Sequence, residues 1–334
     1  MNDVIKADEQ LSLSLGNWKV LLYADVKSAE ASLHFFRDHF QAFISNDSNL
    51  NNIDSWFFVT NPAGLEAPDR LTWWPACRNG IWEGFSKSTG FFYNQVHQTS
   101  ISKQTKVRRS SEPFQIFWSD LNNVDPGDPL FSSRDQKNHQ VIALITNDPD
   151  EIFHFQIFSG TLYFANLWHI ERGGMCIHSS AVARKKNSGF LFLGPSEAGK
   201  STVAQLSTAI GYPALGDDLN FIINDGKGSY SLVASPSAVI SKVGYSSLRP
   251  SLMGIFTLVQ DDHEELIPLR PSQVARVLFR EFYKETPHGR KFPDKLISLA
   301  FHICGDIARR VPGFELHFQK KPDFWKLIDE QFPG

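Results

Sequence analysis

Phe190-Leu191-Phe192-Leu193-Gly194-Pro195-Ser196-Glu197-Ala198-Gly199-Lys200-Ser201-Thr202 is an apolar tetrad followed by a glycine loop of the form G-x-x-x-x-G-K-[ST]. The tetrad is long enough for a buried strand. Downstream, Val203, Leu206 and Ile210 recur at helical spacing until Gly211 closes the segment. Strand, glycine loop and helix in that order predict a phosphate-binding site. The glycines permit a tight wrap in which successive N–H groups and the helix N-terminus point at phosphate oxygens. Gly194, Ser196, Ala198, Gly199, Lys200, Ser201 and Thr202 are therefore the candidate nucleotide-binding residues. Lys200 is expected to reach the terminal phosphates, and the Ser201 hydroxyl to hold Mg²⁺.

Phosphate contacts alone do no chemistry; a group must also position or deprotonate the attacking oxygen. Leu215-Gly216-Asp217-Asp218-Leu219-Asn220-Phe221-Ile222-Ile223 reads as the next strand, and its acids come 17 and 18 residues after Lys200. Neighbouring strand ends in an open α/β sheet converge on one crevice. Adjacent strand residues point to opposite faces, so one acid is expected to bind metal while the other faces an acceptor hydroxyl. Asp217 and Asp218 are both candidate catalytic and metal-binding residues, with Ser201 as the third metal ligand. His178 lies 16 residues before Gly194, on Ile177-His178-Ser179-Ser180-Ala181-Val182-Ala183. Read as one strand, that segment is the hairpin partner of the loop-bearing strand. His178 is thereby a catalytic candidate, able to contact the γ-phosphate or assist proton transfer.

These three stretches together resemble the catalytic half of the HPr kinase/phosphorylase-like family, which is related to the ATP-dependent phosphoenolpyruvate carboxykinases. The resemblance implies an α/β fold, a P-loop kinase domain over residues 148–334, and rests on residues 150–230; residues 1–147 read as mixed α and β, an N-terminal α+β accessory or substrate-selecting region. It also implies a phosphotransferase in which one aspartate binds metal and the other is base toward a serine-type hydroxyl. The segment Val311-Pro312-Gly313-Phe314-Glu315-Leu316 is similar to smaller relatives that act in peptide natural-product tailoring. Three positions depart from the family pattern. Pro195 stands where an acid is usual, Glu197 where the middle loop glycine is usual, and Thr202 where the bifunctional enzymes carry Glu. The later signature loop for protein-substrate recognition and phosphorolysis is not found. Kinase chemistry fits this comparison better than phosphorylase activity or HPr as substrate.

Away from the loop, Trp18-Lys19-Val20-Leu21-Leu22-Tyr23, Trp56-Phe57-Phe58-Val59, Phe114-Gln115-Ile116-Phe117-Trp118 and Val141-Ile142-Ala143-Leu144-Ile145 read as strands. A hairpin is expected at Ser159-Gly160, between Phe153–Phe158 and Thr161–Ala165. Helices are expected over residues 27–45, 272–283, 294–310 and 323–331, and a strand at Phe314-Glu315-Leu316-His317-Phe318. Lys242, Arg249, Arg270 and Arg280 are the cations from which a transition-state partner could come. Arg184, Lys185 and Lys186 are read as an exposed basic turn, and Lys103, Lys106, Arg108 and Arg109 as a solvated basic loop.

Composition bounds the rest. A 334-residue chain with 42% apolar and 21% charged residues is that of a globular protein with ample core. A net charge of −3 gives no electrostatic case for a nucleic-acid or membrane partner. The three separated cysteines and the acidic start Met1-Asn2-Asp3-Val4-Ile5-Lys6-Ala7-Asp8-Glu9 are expected of a cytoplasmic protein with reduced thiols. The expected function is an ATP- and Mg²⁺-dependent kinase acting on a hydroxyl of a peptide, protein or small molecule, alone or as a homo-oligomer. The alternative is an ATP-binding regulatory or scaffold protein without phosphotransfer.

Overall fold

The computed structural model describes residues 10–24, 34, 37, 40–45, 55–60, 92–94, 98–99, 114–120, 140–146, 161–162, 165–185, 187–237, 243, 246–282 and 294–333. The basic loop at 103–109, the expected strand at 153–158, Lys186 and Lys242 lie outside them. The chain divides into two compact units, Met1–Ser14 with Trp18–Phe158, and Leu15–Asn17 with Ser159–Gly334.

In the first unit, save for Leu15 at the end of β1, strands β1 (Gln10–Leu15), β2 (Trp18–Ala24), β3 (Ser55–Thr60), β4 (Phe92–Asn94), β5 (Gln98–Thr99), β6 (Phe114–Asp120) and β7 (Gln140–Thr146) form one sheet. Their order is β1-β2-β3-β7-β6-β4-β5. β2, β3 and β7 run parallel, while β6, β4 and β5 add antiparallel. The four apolar runs recognised in this half each fall inside one of these strands. β1 was not among them, although Leu11, Leu13 and Leu15 are buried and alternate with the half-buried Ser12 and Ser14.

In the second unit, a nine-stranded mixed sheet comprises β8 (Met175–His178), β9 (Ser180–Lys185), β10 (Ser188–Leu193), β11 (Ala214–Gly216), β12 (Leu219–Asn224), β13 (Tyr230–Ala234), β14 (Ser251–Gln260), β15 (Glu265–Leu269) and β16 (Gly313–Phe318). Its middle is the parallel trio β10-β14-β16. Phe190, Leu191, Phe192 and Leu193 of β10 are all fully buried, as a strand covered on both faces requires. The helices are α1 (Lys200–Ala209), α2 (Pro271–Glu281), α3 (Asp294–Arg310) and α4 (Phe324–Gln331). One face of the trio carries an aromatic core in which Phe190, Phe192, Phe256, Phe314, Phe318 and Trp325 pack with Val203 of α1. Trp325 meets Phe190 and Phe192 edge-on. Its indole N–H donates to Ser207 Oγ at 2.8 Å, which fastens α4 to α1.

Several expectations change. Thr161, Leu162 and residues 165–170 are helical, so Thr161–Ala165 is no hairpin strand. The buried run Leu162, Ala165, Leu167 and Ile170 suits a covered helix as well as a strand, which is the ambiguity of short apolar segments. The run from Ile177 to Ala183 breaks at Ser179, and that from Leu215 to Ile223 breaks at Asp217-Asp218. Ile210 is 42% exposed rather than part of the buried stripe of α1. Arg184 is buried, not an exposed turn residue: its guanidinium donates to Asp329 Oδ1 at 2.8 Å and lies over the Phe190 ring. Among the described residues, no helix is long and apolar enough to cross a membrane.

Candidate functional site

The glycine loop leaves the carboxyl end of β10 and feeds α1. Gly199 caps α1 with φ 104°, a left-handed conformation that side chains disfavour. A Cβ there would stand 2.6 Å from Cζ of the buried Phe318 ring, and one on Gly194 would stand 2.6 Å from Ala198 Cβ. Gly199 is thus required by packing as well as by the turn, and Gly194 by packing alone. Glu197 also adopts a left-handed conformation, φ 67°, and its carbonyl accepts a hydrogen bond from Gln260 Nε2 at 2.7 Å. Lys200 is buried, and its Nζ donates to the carbonyls of Gly194 at 2.8 Å and Pro195 at 3.0 Å. Burial holds its pKa below the ordinary lysine value; the carboxylates of Glu281 and Asp218 oppose that shift, and the Arg280 charge adds to it.

Asp217 and Asp218 occupy a bend between β11 and β12 rather than a continuous strand, so strand alternation does not separate them. Buried Asn220 holds the bend, its Nδ2 donating to Ser179 O at 2.8 Å and Gly216 O at 3.2 Å. The Ser179 N–H donates to Asp218 O at 2.8 Å. His178 is not beside the loop-bearing strand, because β9 is the partner of β10. It ends β8, which pairs with β12 so that His178 stands opposite Leu219. That register brings His178 Nε2 to 3.2 Å from Asp218 Oδ1. Its Nδ1 lies 4.0 Å from Oε2 of Glu281, an 8%-exposed carboxylate that also accepts from Arg280 Nε at 2.7 Å. Phe282 pairs with Ile177, which places the end of α2 against this strand.

One cavity of about 420 Å³ gathers these groups. Ser196, Glu197, Gly199, Lys200, Ser201 and Thr202 of the loop and α1 line it together with Asp217, Asp218 and His178. Gly194 and Ala198 do not line it; Gly194 is buried at the loop base, and the Ala198 N–H donates to Pro195 O at 3.2 Å. Gln260 and Lys320 complete the lining and were not anticipated. They follow from β14 and β16 ending at the same sheet edge as β10, the place where ligands sit in such sheets. The signal was present in Leu252-Met253-Gly254-Ile255-Phe256-Thr257-Leu258-Val259, an apolar run between Pro250 and Asp261. Glu281 was missed because a single acid in an amphipathic helix carries no mark of burial. Of the candidate cations, Arg249 donates to Asn17 and Arg270 to Gln273. Neither they nor Arg280 line the cavity.

The donor set fits the expected ligands. The hydroxyl of Ser201 and the carboxylates of Asp217 and Asp218 are hard oxygen donors of the kind Mg²⁺ takes. The ten-residue α1 and the left-handed loop residues form the usual backbone setting for a phosphate.

The family model for ScmC, SynChlorMet cassette protein ScmC, matches residues 144–333. That is more than half of the chain, and the chain belongs to this family. No curated protein matches the sequence. Among solved structures, the chain is similar to the Hpr(Ser) kinase/phosphatase from Coxiella burnetii at 11% identity, over 48% of this chain and 99% of that one, with a TM-score of 0.29.

Proposed function

We propose that the protein is an ATP- and Mg²⁺-dependent P-loop kinase that transfers the γ-phosphoryl group to a hydroxyl of a peptide, protein or small molecule. The observation that carries this reading is the meeting of Lys200 and Ser201 with His178, Asp217 and Asp218 on one cavity. A protein that merely binds a nucleotide needs the first pair and has no use for an imidazole–carboxylate pair facing it. In this reading the loop and Lys200 bind the phosphates, and Ser201 and Asp217 hold Mg²⁺, which neutralises phosphate charge when bound. Asp218 takes the acceptor's proton, and His178 orients that carboxylate. Lys320 supplies the cation that steadies charge on the transferring group. Positioning and electrostatics do the work, with no covalent enzyme intermediate.

Residues 1–147 are assigned the role of selecting or presenting the acceptor. The family name speaks of a cassette, so the products of that cassette are the first acceptors to try. The test is incubation of the protein with γ-labelled ATP, Mg²⁺ and each candidate, read by mass spectrometry for a gain of one phosphoryl group. Lys200→Ala should weaken ATP binding by about tenfold or more, because it removes a charge-assisted donor from the phosphates. Unchanged affinity in that variant would overturn the nucleotide site itself. Tight ATP binding without labelling of any cassette product would overturn the kinase reading alone.

A further inference from the structure

Asp261, His263 and His317 offer ligand atoms that all lie within 4.8 Å of one another. The proposed kinase chemistry uses none of them. Asp261 directly follows β14, and His263 sits in the bend that leads to β15. His317 lies on β16, opposite Val259 of β14 on one side and Glu265 of β15 on the other. Three adjacent strands therefore bring the cluster to one end of the sheet.

The imidazole of His317 is held at both ends. Its Nδ1 is 2.8 Å from Asp261 Oδ2, and its Nε2 is 3.0 Å from Glu315 Oε1. Glu315 is two residues earlier on the same strand, hence on the same face. An imidazole with one nitrogen toward a cluster and the other fixed by a carboxylate is the arrangement that orients metal-binding histidines. His263 Nδ1 is 3.3 Å from Asp261 Oδ1. That matches the roughly 3.3 Å between two ligands of a tetrahedral ion with bonds of about 2.0–2.1 Å. The His263 and His317 rings stack at 5.8 Å with 23° between their planes.

Further carboxylates make the surroundings of the cluster attractive to a cation. Asp262 Oδ1 lies 3.0 Å from His263 Nδ1, and Glu265 Oε2 lies 3.6 Å from its Nε2. With Asp261 and Glu315, four carboxylates surround the two imidazoles. His317 and Asp261 are 16% and 30% exposed in their side chains, so the cluster is sheltered yet reachable from solvent.

We propose that Asp261, His263 and His317 bind one divalent cation of the Zn²⁺ class, with Glu315 orienting His317. Imidazole ligands select Zn²⁺ over Mg²⁺ or Ca²⁺, which prefer all-oxygen sites. The site is separate from the Mg²⁺ ligands of the cavity and stands whether or not the protein is a kinase.

The experiment is calorimetric titration of the chelator-stripped full chain with ZnCl₂. One equivalent should bind, undisturbed by millimolar Mg²⁺. His263→Ala and His317→Ala should each weaken binding by about tenfold or more, and Glu315→Gln by about tenfold, as loss of an orienting partner does. Lys200→Ala should leave the titration unchanged, separating this site from the phosphate loop. Absence of binding, or equal binding by His263→Ala and the parent, would overturn the proposal. His263 is 54% exposed in a bend, so its variant tests the site even where His317→Ala fails to fold.

Discussion

His178 Nε2 stands 3.2 Å from Asp218 Oδ1, in the cavity that the glycine loop also lines. The pair exists because β8 and β12 are neighbours, which puts His178 opposite Leu219 and so beside the acid preceding it. In the kinase reading Asp218 handles the acceptor proton while Lys200 and Ser201 hold the nucleotide. Asp218→Asn should therefore lower phosphoryl transfer by about 10²–10⁴-fold, the usual worth of a general base. ATP affinity should stay within a few-fold of the parent, which separates a loss in transition-state stabilisation from a loss of binding. His178→Ala should cost less, since it orients the acid rather than replacing it. An Asp218→Asn protein that transfers phosphate at the parental rate would remove Asp218 from the chemistry.

Glu197 is the one described non-glycine residue with positive φ, and it lies on the cavity wall where phosphates are expected. Its left-handed backbone costs about 1–2 kcal/mol. Glu197→Gly relieves that strain but adds unfolded-state entropy worth roughly 0.5–1 kcal/mol, so stability should rise by no more than about 1.5 kcal/mol. Nucleotide affinity should rise several-fold as a negative charge leaves the phosphate site. Calorimetry with ATP, set beside urea denaturation of the same variant, reads both effects. Weaker ATP binding by the glycine variant would show that Glu197 supports the ligand.

Gly199 combines a left-handed backbone with a close approach to Phe318, whereas Gly211 has φ 88° and nothing within 4 Å of a built Cβ. Comparing the two separates strain from collision. Gly211→Ala should cost about 1 kcal/mol through strain alone. Gly199→Ala adds overpacking against a buried ring and should cost about 2–4 kcal/mol. Chemical denaturation of the two variants checks this; equal losses would mean that the Phe318 ring yields.

The loop, the acids and the histidine were legible because each is a residue type tied to a chemistry at a fixed offset from Lys200. Helix α3 was legible too, since its seventeen residues repeat a strong period. What failed was local continuity. Apolar residues on both sides of Ser179 and of Asp217-Asp218 look like single strands, and only the tertiary ladder shows that each breaks in two. Those breaks made His178 a neighbour of Asp218 instead of a neighbour of the glycine loop. β14 escaped notice although it is the central strand, because Gly254 and Thr257 interrupt its apolar run. Missing β14 hid Gln260, and the end of β16 hid Lys320, since both are ordinary polar residues until the sheet edge assembles. Buried partners such as Glu281 and Arg184 depend on contacts between distant segments, which no window along the chain contains.

His169 offers a stability test independent of the site. It is almost fully buried, and its Nε2–H donates to Leu15 O at 2.9 Å, a contact that requires only the neutral ring. Burial lowers its pKa to about 4; the Leu15 hydrogen bond opposes the shift, and the charges of Arg172 and Arg249 add to it. In the unfolded chain the ring titrates near 6.5. Between these values the unfolded state binds the extra proton, so stability rises with pH there and falls as the solution is acidified. The contribution is whole above about pH 6.5 and is lost progressively toward pH 4, up to on the order of 3 kcal/mol. His169→Gln keeps a donor but cannot titrate. It should be less stable than the parent at pH 7.5, and the gap should narrow as pH falls from 6.5 to 4.5 in urea denaturation. Because other groups titrate equally in both proteins, the difference between the two curves belongs to His169. A gap that stays constant across that range would mean that the ring is charged in the fold, which its carbonyl partner and surroundings do not support.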